Sequence, residues 1–367
     1  MRRTLPIRLL ILTLALLTAN TTRAAELPAT LSDQEFWRLL TELSEAGGVF
    51  QAELMSNEDS SQFVIPALKE TTRRNGVYVG VGPEQNFTYI AAIQPRMAFI
   101  VDIRRDNMLE HLMYKALFEV SSDRADFLSR LFSRKRPAGL DAASSATGLF
   151  NAFETVDSDP VLSAENERAI LDRLVTKHKF ALTDADKARV SFFLTTFRTT
   201  GPAALRGTGD KNLNYAQAMT GSDLTGRNQS YLASEANFKF IQELQKRNMV
   251  VPLVGDFAGD KTIVGIGRYL KDHDSKLDVF YVSNVERYLW DQGDHGKQFY
   301  ANAAALPMDQ SSTFIRSVTS DISRRLGVPL PNGTANWRSF LSPMGESLKA
   351  FGEGRIHNYR ELFELVR

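Results

Sequence analysis

The sequence predicts an α/β fold: a mostly parallel sheet with helices on both faces and a long helical insertion between the second and third strands. Three observations predict it. Four short, mostly apolar runs occur, at Val77-Tyr-Val-Gly80, Ala98-Phe-Ile-Val-Asp102, Val250-Val-Pro-Leu-Val-Gly-Asp256 and Leu277-Asp-Val-Phe-Tyr-Val-Ser283. Helical periodicities alternate with them, and near-continuous apolar strands are what crossover helices on both faces of a parallel sheet require. From Asn107 to Asn248 the pattern is helix and loop with no strand signal.

The elements follow in order. Residues 1–24 read as an export leader. Arg2, Arg3 and Arg8 form a basic start, Leu9 to Ala19 an apolar stretch too short to span a bilayer, and Thr22-Arg23-Ala24 a small-x-small cleavage site before Ala25. The expectation is an exported chain, periplasmic or secreted, with no stable membrane span after cleavage. Ser32 or Asp33 then caps a helix whose apolar stripe is Phe36, Leu39, Leu40 and Leu43, and Ala46-Gly47-Gly48 ends it. A short helix is expected at 63–69. The first strand stops at Gly80-Val-Gly82, a helix follows at 84–93, and the second strand ends on Asp102.

The first part of the α/β domain is therefore 25–106, the insertion 107–248 and the second part 249–367. Within the insertion, helices are expected at 107–120, 123–132, 164–177, 183–196 and 235–247. Residues 206–226, rich in Gly, Thr, Asn and Asp, read as a long irregular loop of the kind often functional. After the third strand come a helix at 261–271, the fourth strand, two weaker late strands at 299–306 and 313–318, and a last helix at 359–366.

Charge narrows the function. The chain carries 44 Lys and Arg against 43 Asp and Glu; without the leader's four arginines the balance is 40 to 43, net −3. A near-neutral surface does not suit nucleic acid as a partner, because phosphate binding needs basic charge. There is no cysteine, which excludes disulfides and thiolate chemistry. The five histidines show no H-x-x-x-H spacing, so no metal is expected.

The chemistry sits at the strand ends. Glycines at Gly80 and Gly82 let a ligand approach the backbone, and the helix after them offers free N–H groups. Asp102 lies twenty residues beyond Gly82, where a nucleotide-binding βαβ unit places the acid that takes ribose hydroxyls. Asp256 after the third strand can bind an adenine amino group, or cap its own turn. Asn284 after the fourth offers a carbonyl oxygen and an amide, or forms an Asx turn. Arg104, Arg105 and His111 follow Asp102 and could reach an acidic substrate, although His111 among leucines and methionines reads first as a partly buried, satisfied histidine. Tyr231 and Asn237 belong to a mixed aromatic and polar cluster near the end of the insertion. No G-x-S-x-G or H-E-x-x-H motif supports hydrolase chemistry.

The order of these motifs resembles class I S-adenosylmethionine-dependent methyltransferases, over 75–105 and 248–318. Gly76-Val-Tyr-Val-Gly-Val-Gly-Pro-Glu-Gln-Asn-Phe-Thr-Tyr, Phe99-Ile-Val-Asp-Ile-Arg-Arg, Tyr231-Leu-Ala-Ser-Glu, Tyr281-Val-Ser-Asn-Val-Glu and Ser312-Thr-Phe-Ile-Arg-Ser also look like a bacterial family of uncharacterised proteins with that Rossmann-like fold. The methyltransferase resemblance implies S-adenosylmethionine as cofactor. Gly80 and Gly82 would line its methionine and ribose side, Asp102 hold the ribose, Asp256 sit at adenine and Asn284 face the methyl group. Glu84 departs from the third glycine of that pattern; it either contacts the methionine amino group or closes the site. Glu286 is the best-placed acid to take a proton, and Arg104, Tyr231 and Asn237 would meet the substrate, a small molecule. The alternative expectation is an exported, non-catalytic binding module that keeps the fold without methyl transfer, since S-adenosylmethionine is a cytoplasmic cofactor.

Overall fold

The computed structural model describes residues 26–51, 53–73, 75–205, 213–325 and 337–363. The expected leader lies outside the described residues. Six strands form one sheet: β1 Val77–Gly80, β2 Met97–Asp102, β3 Val250–Val254, β4 Leu277–Ser283, β5 Met308–Thr319 and β6 Trp337–Pro343. Their order is β3-β2-β1-β4-β5-β6. The first five are parallel and β6 runs antiparallel to β5. With helices on both faces and the insertion between β2 and β3, this is the Rossmann-like α/β architecture that the sequence predicts.

Strands β1, β2 and β3 are buried along their whole length, and β4 is buried up to Ser283. Pro252 is tolerated inside β3 because β3 is an edge strand, so its missing N–H breaks no ladder on the outer side. Antiparallel β6 closes the other edge and buries only part of its length.

The helix Arg105–Val120 anchors the insertion. Twelve of its sixteen residues are buried, packed against β2, β3 and the helix Glu235–Lys246. The remaining insertion helices are Arg124–Phe132, Ala146–Glu154, Pro160–Leu171, Asp184–Thr200 and Tyr215–Thr220. Side-chain caps set several of the starts: Ser32 with Glu35 before Asp33–Leu43, Asp123, Thr183 with Asp186, and Ser234.

Three expectations change. The 299–306 segment is the end of a helix, His295–Ala304, not a strand: Phe299, Tyr300, Ala303 and Leu306 recur at helical spacing and are buried. The expected loop at 206–226 contains the helix Tyr215–Thr220, started by an Asn214–Gln217 capping box; 206–212 lie outside the described residues. The last helix expected at 359–366 is a single 3₁₀ turn, Glu361–Phe363, with 364–367 outside the described residues. Among the described residues no helix is long and apolar enough to cross a membrane.

Candidate functional site

Strand β1 is the point where the strand order reverses, with β2 on one side and β4 on the other. The register pairs its last residue, Gly80, with Ile100 and Tyr281. Both neighbours run on, to Asp102 and Ser283, so the sheet has a notch two residues deep above β1. Ligands of open α/β sheets bind at such a switch point, outside the carboxyl ends of the strands. A crevice of about 240 Å³ lies here and meets Gly82, Asp102, Asp256 and Asn284.

The two glycines do different work. Gly82 has φ +79°, and a Cβ added to it would meet nothing within 4 Å, so its open side faces the crevice. At Gly80 a Cβ would overlap the Asn86 amide oxygen and the Tyr78 ring; this glycine serves packing and does not line the crevice. Asn86 pins the turn. Its Nδ2 reaches the carbonyls of Val81, Gly82 and Pro83 at 2.9, 3.0 and 2.7 Å, and the Tyr78 hydroxyl donates to its Oδ1 at 2.9 Å. From behind, buried His111 donates from Nε2 to the Gly82 carbonyl at 2.9 Å. Burial pushes the His111 pKa down to about 4, so the ring is neutral, and the carbonyl fixes which nitrogen carries the proton. His111 thus holds the turn, and it does so fully buried.

Asp102 is buried against Arg104. The Arg104 backbone N–H and Nε donate to Oδ1 at 2.8 and 3.0 Å, and Nη2 to Oδ2 at 2.9 Å. Arg104 also lies 3.6 Å from Glu53, so it forms the back of the crevice wall rather than its surface. Glu84 heads the helix Gln85–Ile93, fully buried, and accepts from the Ser56 N–H at 3.2 and 3.4 Å. Desolvation raises its pKa to about 8. A neutral carboxyl therefore stands beside the helix N-terminus, where a phosphate would sit in a dinucleotide protein.

The third and fourth strands supply Asp256 and Asn284. Asp256 Oδ1 accepts from the Ala258 N–H at 2.8 Å, which turns the chain. Ser283 has φ +51°, a conformation costly for a side-chain-bearing residue, and its hydroxyl donates to Glu58. Glu58 is buried at the crevice floor and also accepts from Ser317, which adjoins Ser339 at 3.1 Å. Desolvation raises its pKa above the ordinary carboxylate value.

Three more sequence-expected residues stand outside the crevice lining, as Gly80, Glu84 and Arg104 do. Glu286 is bound by Arg316 at 2.6 and 3.0 Å and by the Tyr300 hydroxyl at 2.8 Å, buried and outside the crevice. Tyr231 is packed among Phe87, Phe118 and Phe127 and bonds the Tyr215 hydroxyl. Asn237 donates to the Ser230 carbonyl at 3.0 Å. Neither of these two lines the crevice.

Sequence reading missed the segment before β1. Phe50, Glu53, Ser56, Asn57 and Glu58 line the crevice, together with Tyr288 and Trp337 from the second part of the domain. The polar run Ser56-Asn-Glu-Asp-Ser-Ser61, unusual ahead of a buried helix, was the available signal. Among the described residues no Lys, Arg or His lines the crevice, and no cluster of three or more His, Asp or Glu side chains is placed to hold a metal ion.

The fold and this crevice define a Rossmann-like α/β protein. Residues 54–350 match the family described as "Domain of unknown function (DUF7790)", most of the chain, and the protein belongs to that family. No curated protein matches it.

Proposed function

We propose that the protein binds S-adenosylmethionine in the crevice above β1 and is methyltransferase-like, with a small-molecule acceptor. One observation carries the reading: Gly82, Asp102, Asp256 and Asn284, from the ends of four different strands, meet in one crevice at the switch point. The antiparallel end of the sheet, β6 against β5, also agrees with the methyltransferase resemblance.

The residues present fit a phosphate-free adenosyl ligand better than a dinucleotide. Among the described residues no cation lines the crevice, and Glu84 already stands at the helix head. A carboxylate has about four lone-pair sites. Arg104 takes two on Oδ1 and one on Oδ2 of Asp102, which leaves one direction on Oδ2 for a ribose hydroxyl. Asp256 would meet the adenine amino group, Gly82 would let the ligand lie against the backbone, and Asn284 would face the reacting end. S-adenosylmethionine supplies an electrophilic methyl group when bound. The chain's part is to orient two reactants and exclude water, which is where proximity gives its rate advantage.

A second reading, a binding module without methyl transfer, draws on Arg104 and Arg316, which occupy the two acids, Asp102 and Glu286, that a catalytic site would use. Thermal denaturation with ligand tests the shared claim. At one hundred times its dissociation constant, S-adenosylmethionine adds about 2.7 kcal/mol to stability. Gly82→Val, which puts a branched side chain into the open side of the turn, removes that gain. An unchanged midpoint at millimolar ligand sinks the proposal.

A further inference from the structure

We infer that the crevice selects its ligand by positive charge, and that it takes an organic cation: a sulfonium, a quaternary ammonium or a protonated amine. The inference rests on the crevice of the proposed function and deepens it, by stating what property of the ligand is read there.

The cavity has carboxylate-bearing walls and aromatic faces together. Glu53, Glu58, Asp102 and Asp256 line it, and among the described residues no cationic side chain does. Two cations stand close behind the lining. Arg104 is committed through its N–H groups to Asp102 and to the Glu53 carbonyl at 3.4 Å. The Arg287 guanidinium lies over the Tyr288 ring at 5.9 Å, which leaves Phe50 and Trp337 as the more exposed lining aromatics with no cation over the ring among the described residues. Phe50, Tyr288 and Trp337 are the more exposed aromatics of the lining, with the Phe50 and Tyr288 rings T-shaped at 5.1 Å; Tyr281 and Phe257 are buried. Aromatic faces attract a cation through their quadrupole, by about 0.5–2 kcal/mol according to exposure. Carboxylates add a Coulomb attraction that grows as the ligand displaces water. Both terms have the wrong sign for a phosphate and are absent for a neutral ligand.

Glu58 is the group that needs the ligand's charge most. It is 3 % exposed, and its two oxygens are held by the hydroxyls of Ser283 and Ser317, not by a cation. The titratable groups that act on it are Glu53, Tyr78, Tyr89, Tyr281 and Tyr359, none of them positive. Burial raises its pKa above the ordinary carboxylate value. A cation entering the crevice supplies a counter-charge that the serine hydroxyls do not.

Calorimetry on the purified protein with two pairs, each close in shape and differing by one positive charge, tests this. The first pair is S-adenosylmethionine and S-adenosylhomocysteine; the second is choline and its neutral isostere 3,3-dimethylbutan-1-ol. The expected result is at least about tenfold tighter binding of the charged member in each pair that binds, equivalent to about 1.4 kcal/mol. Glu58→Gln, which removes one acid from the lining, should narrow that ratio. Glu58→Gln keeps the side chain's shape, its fold is checked by circular dichroism, and the wild-type ratio stands without it. Equal affinity within a binding pair, or no binding by any of the four compounds, overturns the inference. Equal binding of the two adenosyl ligands leaves the proposed function standing. Choline binding above its isostere, with neither adenosyl ligand bound, keeps charge selection and ends the methyltransferase reading.

Discussion

The Asp102 carboxylate is held by the residue two positions after it: Arg104 donates from its backbone N–H and from Nε and Nη2 of its guanidinium, at 2.8 to 3.0 Å. The acid that ends β2 is therefore fixed in orientation before any ligand arrives. Both side chains are about 5 % exposed, so each is the other's principal counter-charge.

Removing one partner strands the other. Asp102→Ala should cost up to about 3–5 kcal/mol of stability, because it takes two hydrogen bonds from a buried guanidinium and leaves it the more distant Glu53 carboxylate at 3.6 Å. Asp102→Asn, which keeps an oxygen in place, should cost less. Urea denaturation compares them, and equal losses would contradict this assignment. The result also decides which variant is a fair binding control: loss of ligand binding in Asp102→Ala alone would report on folding.

The glycines above β1 should separate in the same way. Gly80→Ala drives a methyl group into Asn86 and Tyr78 and should destabilise by about 1–3 kcal/mol through overpacking. Gly82→Ala meets no atom but must adopt φ +79°, which should cost about 1–2 kcal/mol. Its larger effect should be on ligand affinity, since its methyl group enters the crevice. Thermal midpoints and titrations of both variants check the contrast.

Stability should fall as pH rises through the neutral range, and Glu84 should carry a measurable share. Its carboxyl has a pKa of about 8 when folded, against 4.5 for the free side chain. Between those values the unfolded chain gives up the proton and the folded chain keeps it. Each step up in pH therefore favours unfolding, and the loss is complete only above about pH 8. Asp278, raised to about 6 by burial, and Glu58 and Glu110, raised in the same direction, act alike. Glu84→Gln should flatten the profile, gaining about 3–5 kcal/mol on wild type between pH 5 and pH 9. Denaturation curves at pH 5, 7 and 9 that stay parallel for the two proteins would contradict it.

The Glu286–Arg316 pair should behave as a buried structural ion pair. Arg316→Met alone leaves the Glu286 carboxylate buried with only Tyr300 and should cost about 3–5 kcal/mol. Adding Glu286→Leu should restore part of that loss, because two apolar side chains do not carry the desolvation penalty of an unpaired charge. A double-mutant cycle by urea denaturation measures the coupling; additive losses would mean that the two residues act separately.

Much of the fold was legible because strand burial leaves a direct trace in sequence. Val77 to Gly80 and Met97 to Asp102 are covered on both faces, so apolar runs mark them and glycine or aspartate ends them. Strand β6 left no such trace. It lies at an edge, only two of its seven residues are buried, and Trp337-Arg-Ser-Phe-Leu-Ser-Pro does not read as a core strand. Register is also invisible in one chain, so the two-residue notch above Gly80 could not be foreseen. The lining of the candidate crevice was legible where residues end or closely follow strands, as at Gly82, Asp102, Asp256 and Asn284. It was not legible where a distant segment folds over the sheet edge: Glu58 reaches Ser283 and Ser317 across more than two hundred residues. Glu286 and Arg104 show the converse. Each sits beside a strand-end residue in sequence, but a salt bridge inside the fold takes the side chain up.

The most direct test is a calorimetric titration of S-adenosylmethionine into the wild-type protein and into Gly82→Val, with the fold of each checked by circular dichroism. The account predicts saturable one-to-one binding to wild type and none to the folded variant, because the ligand must lie against the open side of the Gly82 turn. No heat of binding with wild type at millimolar ligand, or equal binding by the two proteins, would contradict it.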